Sequence, residues 1–305
     1  MKPLVLEIKG NSLDDGPGIR SVVFFKGCPL DCKWCHNPES KRAQVEISYD
    51  SKVCIGCKTC ITTCPNKAIA ETNPFFIDRD ACDLCFACVE TCPSGALTRV
   101  GMEMSHDEIL DRVIVDKPFF DTSHGGVTLS GGEPAFNMKF AGQTARKLKK
   151  NNIHVLLETC GLFDINRFYK HIYPYIDMIY FDIKLMDTDA HKKYCGADNS
   201  IILKNFSALQ KKYANGGVPV LARTPLIPGI TDTDGNLRAI GSWLASRDVQ
   251  KIQIMAYHPM WIEKNAKIGM KLPISGNLVL SEWMSRESVE RCKNILASEG
   301  LEVVV

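Results

Sequence analysis

Cysteine is the residue type whose placement in this chain could do chemistry. There are 14, and eleven fall between Cys28 and Cys92, leaving only Cys160, Cys195 and Cys292 in the rest. Within that stretch Cys54-x2-Cys57-x2-Cys60-x3-Cys64-Pro65 recurs as Cys82-x2-Cys85-x2-Cys88-x3-Cys92-Pro93. In this spacing three close thiolates wrap one 4Fe-4S cubane and the fourth reaches across to a second cluster. The expected ligand sets are therefore Cys54, Cys57, Cys60 and Cys92 for one cubane, and Cys82, Cys85, Cys88 and Cys64 for the other. Such a module relays electrons. Structural zinc calls for pairs of ligands rather than two complete quartets. A disulfide framework suits small secreted domains, whereas this is a large chain whose start, Met1 to Gly10, alternates charged and apolar residues and lacks a signal-peptide core. The expected compartment is the reducing cytoplasm.

Cys28-x3-Cys32-x2-Cys35 differs, because three thiolates leave one iron of a cubane without a protein ligand, and an open iron is an open coordination site. A Cys3His zinc site completed by His36 would require the adjacent Cys35 and His36 to chelate one ion, which ordinary tetrahedral geometry disfavours. Trp34 is placed to pack beside the cluster. Cys292 lies on an apolar helix stripe with Val289, Ile295 and Leu296 and is expected in the core. Cys160 lies near the presumed site but has no ligand spacing and reads as structural; Cys195 is given no role.

The elements that must position these groups are legible as alternation. Six segments rich in Val, Ile and aromatic residues read as strands: Ser21 to Lys26, Gly126 to Leu129, Ile153 to Leu157, Met178 to Phe181, Val218 to Ala222, and Ile252 to Met255. Stretches long enough for helices follow, one with Leu237, Ile240, Trp243 and Leu244 at helical spacing. That pattern predicts a parallel α/β sheet or barrel. Ser130-Gly131-Gly132-Glu133-Pro134, Glu158-Thr159, Asp182-Ile183-Lys184, Arg223-Thr224 and Tyr257-His258-Pro259 all fall at carboxyl ends of strands, the face where such folds build their sites. The stretch 51–101 interrupts the alternation and reads as an inserted domain. With 305 residues, 45% hydrophobic and 24% charged, the chain can bury one large core with room for that insertion. A net charge of +2 without Lys/Arg runs argues against nucleic acid, and no apolar stretch reaches membrane-spanning length.

The motif Cys-x3-Cys-x-aromatic-Cys resembles the radical S-adenosylmethionine (SAM) superfamily. Asp15-Gly16-Pro17-Gly18-Ile19-Arg20, Phe25-Lys26-Gly27-Cys28-Pro29-Leu30 and Trp34-Cys35-His36-Asn37-Pro38-Glu39 are similar to the activating enzymes of glycyl radical enzymes, and the similarity runs on through Gly131-Gly132-Glu133-Pro134, Asp182-Ile183-Lys184, Pro228-Gly229 and Tyr257-His258-Pro259. The insertion resembles that of the longer members. The resemblance implies a partial (β/α)6 barrel at 1–50 and 102–305, with a ferredoxin-like domain carrying two 4Fe-4S clusters at 51–101. It implies three 4Fe-4S clusters in all, the one on Cys28, Cys32 and Cys35 cleaving SAM to a 5′-deoxyadenosyl radical that removes hydrogen from a glycine of a partner enzyme. A reduced flavodoxin or ferredoxin-type protein would supply electrons.

By the same resemblance, Trp34, Cys35, His36, Glu133 and Ile183 belong to the cofactor site. Gly131 and Gly132 would offer backbone to the methionyl amine, Asp182 and Lys184 would contact SAM, Arg223 would support its polar groups, and His258 would lie against the adenosyl portion. Glu158, Thr159 and Asp182 would help hold a monovalent cation beside the SAM carboxylate. Met260-Trp261 after His258-Pro259 is bulkier than expected and implies altered partner contacts. Two rival classes are a radical SAM enzyme of a small molecule, disfavoured by the Gly-Pro-Gly-Ile-Arg run, and an electron carrier, which leaves the Cys28 triad without a purpose.

Overall fold

The computed structural model describes residues 3–272, 274 and 278–305. Its strands, in chain order, are β1 (Leu4–Ser12), β2 (Arg20–Phe25), β3 (Glu46–Tyr49), β4 (Leu97–Val100), β5 (Met102–Glu103), β6 (Gly126–Gly131), β7 (Val155–Thr159), β8 (Met178–Asp182), β9 (Val220–Pro225), β10 (Lys251–Met255) and β11 (Glu302–Val304). Nine form one sheet in the order β11-β10-β9-β8-β7-β6-β2-β1-β5. From β2 through β6 to β11 every pairing is parallel, while β1 and β5 add an antiparallel edge. Parallel neighbours need crossovers, and these carry helices such as Met138–Lys150, Ser200–Ala214 and Asp234–Ala245. Val127, Leu129, Val155, Leu157, Ile179 and Phe181 from the strands pack with Ala141, Leu148, Phe206, Leu237 and Ile240 from the helices in one core. The near-continuous burial of β6 and β7 is that of parallel strands covered on both faces.

The six expected strands are β2 and β6 to β10, with ends shifted by up to three residues. The three unexpected strands of the large sheet, β1, β5 and β11, lie at its two ends, β1 between β2 and β5. The charge alternation of β1 leaves Glu7 and Lys9 on its exposed side, and β5 and β11 are too short to carry a pattern. Among the described residues, no helix is long and apolar enough to cross a membrane.

Arg20 is fully buried, and its guanidinium donates to Thr128 Oγ1 (2.6 Å) and to the Val127 carbonyl (2.8 Å), stapling β2 to β6. It sits at the amino end of β2, opposite Gly126. The Asp15–Arg20 motif is thereby fastened to β6, through Arg20 and through the Asp15 carbonyl, which accepts from Thr128 Oγ1 (2.7 Å).

β3 and β4 pair antiparallel as a separate two-stranded ribbon, and between them lie the repeated cysteine runs. Their backbones repeat as well: left-handed φ values recur at matched positions, 71° at Gly56 and 60° at Leu84, 60° at Lys58 and 64° at Phe86, 50° at Lys67 and 68° at Gly95. Lys58 and Phe86 each start a short helix, Thr59–Thr63 and Ala87–Glu90. Ile47, Ile69, Ile77, Cys88 and Leu97 form the small core of this segment. Lys52–Glu263 (2.7 Å) and Lys267–Asp50 (2.8 Å) tie it to the helix Trp261–Lys267.

Candidate functional site

The loop carrying Cys28, Cys32 and Cys35 leaves the carboxyl end of β2 and is held by backbone bonds on several sides. Cys28 N donates to Lys41 O (3.0 Å), Asp31 N to Cys195 O (2.8 Å), and Lys33 N to Tyr194 O (2.9 Å). Tyr194 and Cys195 end the helix Thr188–Cys195, which follows β8. The three thiols pack in an apolar cluster with Leu30, Trp34, Leu185, Ile227, Tyr257 and Trp261. Trp34 is buried there, its ring 6.2 Å from that of Tyr194.

Two cysteines that the spacing left aside join this group. Cys160, just past β7, packs in the same cluster, and its interaction with the Cys28 thiol together with burial drives its pKa well up. Cys195 packs there too, and its interaction with the Cys32 thiol raises the pKa of Cys195 and lowers that of Cys32. Burial pushes Cys35 up to about 12. Cys160 thus lies beside the triad, near the site as expected, and Cys195 acquires a location. Cys292 lies in the main core as expected.

The ends of β6 to β9 supply the polar groups. Strand alternation puts Asp182 and Lys184 on one side and Ile183 on the other. Ile183 belongs to the main core and is bonded through its backbone to Arg223 and Thr224, so its side chain does not reach the site. Lys184 Nζ donates to Asp182 Oδ2 (2.9 Å). Burial opposes the Lys184 charge, but Asp182 and the neighbouring thiols of Cys32 and Cys160 raise its pKa. Arg223 bridges two carboxylates: Nη2 lies 3.0 Å from Asp182 Oδ1 and Nη1 is bonded to Glu158 Oε1. Its pKa rises because those charges outweigh burial, and its guanidinium lies 5.0 Å from the Tyr180 ring. Burial alone would raise Asp182; Lys184 and Arg223 bring it below the usual range.

Glu133 is buried and accepts from Ala135 N (2.9 Å), Thr159 Oγ1 (2.9 Å) and Cys160 N (2.7 Å), linking the β6 and β7 ends. Burial raises its pKa. A Cβ on Gly131 (φ 108°) would stand 2.4 Å from Phe25 N, and one on Gly132 would stand 2.4 Å from Gly27 O. Both glycines are therefore required by the close approach to β2 and its loop. The Gly132 N–H is used by Phe25 O, which leaves the carbonyls of this turn as the groups that could receive an amine. His36 stacks on His258 (4.1 Å between centroids), and His36 Nε2 and His258 Nδ1 are buried without a partner among the described residues. Burial lowers both, His36 to about 3, with His258 and Lys264 respectively as the next causes. Trp261, expected to shape partner contacts, is instead buried, donating to Tyr257 Oη (2.7 Å); Met260 is exposed.

In the ribbon segment two cavities sort the repeated cysteines. One of about 540 Å³ is lined by Cys54, Cys57, Cys60 and Cys92, with Glu263, Ala266 and Lys267 on its far wall. A much smaller one is lined by Cys64, Cys82, Cys85 and Cys88. Among the described residues no three His, Cys, Asp or Glu side chains converge on one metal ion; a four-iron cubane separates its thiolates by its own width. The donor sets are thiols alone, which suit iron–sulfur clusters rather than a hard cation. A monovalent cation fits less well, since Glu158 and Asp182 are held by Arg223 and Lys184, and Thr159 by Glu133.

The description of the radical SAM superfamily matches residues 22–237. The chain is 40% identical over 300 residues to the trans-4-hydroxy-L-proline dehydratase activating enzyme of Clostridioides difficile, covering 97% of this chain and 95% of that one. It is 35% identical over 299 residues to the choline trimethylamine-lyase activating enzyme of Oleidesulfovibrio alaskensis (95% and 94%). The chain belongs to the radical SAM activating enzymes of glycyl radical enzymes. A third member, the indoleacetate decarboxylase activating enzyme of Tractidigestivibacter scatoligenes, is 35% identical over 280 residues (88% and 87%). As such an activating enzyme, the protein uses a 4Fe-4S cluster and SAM to generate a 5′-deoxyadenosyl radical, with which it activates a glycyl radical enzyme.

Proposed function

We propose that Cys28, Cys32 and Cys35 hold the SAM-cleaving cubane, and that 51–101 is a ferredoxin-like domain inserted into a radical SAM barrel formed by 1–50 and 102–305. In this reading Cys54, Cys57, Cys60 and Cys92 hold a second cubane, and Cys64, Cys82, Cys85 and Cys88 a third. The sorting of eight cysteines into two cavities by these quartets, crosswise to their order in the chain, is the observation that carries it. The strained left-handed backbone at Lys58, Leu84 and Phe86 supports it, since such conformations persist where surroundings over-determine them.

When bound, the cluster supplies one electron to the SAM sulfonium, and cleavage to methionine gives the radical that takes hydrogen from a partner's glycine. The chain's own residues bind and orient. Trp34 and the apolar cluster around it exclude water from the triad. Lys184, fixed by Asp182, presents a positive charge at the barrel mouth, where Arg223 steadies both carboxylates. The turn at Gly131 and Gly132 offers carbonyls to the SAM amine. His258, stacked on His36, offers the adenosyl group a flat face and a ring nitrogen without a partner among the described residues. A reduced flavodoxin or ferredoxin-type donor in the cytoplasm would feed the insertion.

The test is an anaerobic assay of 5′-deoxyadenosine with Cys28, Cys32 and Cys35 all replaced by Ala. That variant should keep both inserted clusters and make no 5′-deoxyadenosine; production at the normal rate would show the site to be misassigned.

A further inference from the structure

We propose that in this enzyme the Arg223 guanidinium is the fixed positive charge between Glu158 and Asp182, so that SAM binding requires no monovalent cation. The inference rests on SAM lying at the carboxyl ends of β7 to β9, as proposed above.

All four carboxylate oxygens are already engaged. Glu158 Oε1 is bonded to Arg223 Nη1 and Oε2 accepts from Ser130 Oγ (2.6 Å). Asp182 Oδ1 accepts from Arg223 Nε (3.1 Å), and Oδ2 from Lys184 (2.9 Å). Thr159 Oγ1 donates to Glu133 and accepts from Gly161 N (3.0 Å), which turns it from the pair. The side chains of Arg223, Glu158, Asp182 and Lys184 are only 7%, 11%, 19% and 10% exposed. Two carboxylates face two cations, so the group is neutral as it stands. SAM adds a sulfonium, an ammonium and a carboxylate, one net positive charge, and an oxidised cubane on three thiolates carries roughly one negative charge. A potassium or sodium ion would be an uncompensated buried charge beside a guanidinium, which is costly in a poorly hydrated site. The length of Glu158 matters here. Its extra methylene, compared with Asp, carries the carboxylate to Arg223.

The experiment measures equilibrium binding of radiolabelled SAM to the reconstituted enzyme in potassium chloride and in choline chloride at equal ionic strength. Wild-type affinity should agree between the salts within about twofold. Arg223→Met removes the charge at similar volume, and its affinity in choline should fall and recover roughly tenfold or more on adding potassium. Thermal unfolding of the apo-protein should show the same split, with potassium stabilising Arg223→Met and leaving wild type unchanged. Should Arg223→Met fail to fold, Glu158→Asp supplies the same reading, since the shortened carboxylate withdraws from Arg223 and opens room for an ion. A wild-type requirement for potassium, or variants indifferent to it, would overturn the proposal. Absence of SAM binding by wild type in either salt would instead remove the SAM site on which it rests.

Discussion

Crosswise ligation in the insertion can be tested by asking which cysteine losses overlap. Three cubanes require about 12 iron atoms per chain, and disabling one should leave about 8. Cys92 sits in sequence with Cys82, Cys85 and Cys88 but shares its cavity with Cys54, Cys57 and Cys60. Burial and Cys64, together with Cys82 and Cys85, raise the Cys88 thiol, whereas Cys92 acts on Cys57 and Cys60. Pairing Cys92→Ala with Cys57→Ala should therefore cost no more iron than either alone, about 4 atoms, because both damage one cubane. Pairing it with Cys85→Ala should cost about 8. The assay is iron and sulfide content after anaerobic reconstitution, with Mössbauer spectra to count the remaining clusters. The reverse pattern, in which Cys92 and Cys85 overlap while Cys92 and Cys57 add, would show that each run ligates its own cluster.

If the insertion relays electrons, Cys57→Ala should slow 5′-deoxyadenosine formation with a protein donor but not with a small chemical reductant, and SAM affinity should stay near normal; equal losses with both donors would reject the relay. Glu133→Gln turns an amide donor toward groups that already donate to Glu133, so the apo-protein should lose about 1–3 kcal/mol in urea unfolding, and an unchanged midpoint would count against its stapling role. The pKa of His36, near 3 when folded, lies below that of a free histidine. Below about pH 6.5 the unfolded state thus binds the extra proton, so this contribution is complete above that pH and is lost as pH falls, by at most about 1.4 kcal/mol per unit. Thermal unfolding of the apo-protein from pH 7 to 5 should show this decline, and His36→Gln should flatten it; equal slopes would refute the assignment.

The parallel strands were legible because burial on both faces forces continuous apolar runs, and the polar groups of the mouth because each directly follows such a run. Glu158, Asp182, Lys184 and Arg223 come together in the fold as their positions implied. The strands at the ends of the sheet escaped, β5 and β11 for want of length and β1 for want of a buried second face. Ile183 was included with its neighbours although alternation turns it inward. Cys195 could not be placed from sequence, since only the crossover helix Thr188–Cys195 carries it back to Cys32. Trp261 looked like a surface residue because nothing local reveals that its indole is spent on Tyr257. The Asp15–Arg20 run marked kinship, and its local work, with Arg20 fastening β2 to β6, could be seen only in the fold.

The two parts of the molecule stand in unequal relation to iron. No proposed cluster ligand belongs to the main core, and the triad loop is pinned by backbone bonds that need no metal. The insertion contributes Ile69, Ile77, Leu97 and the proposed ligand Cys88 to a core completed by Ile47 of β3, and other ligand cysteines pack around them. A core that small rarely holds a fold without a staple. During biogenesis the barrel would therefore mature as an ordinary polypeptide with its socket ready, while the insertion would gain its final shape from cluster delivery. Iron scarcity or oxygen damage would then appear first as proteolytic sensitivity between β3 and β4, with the barrel still intact.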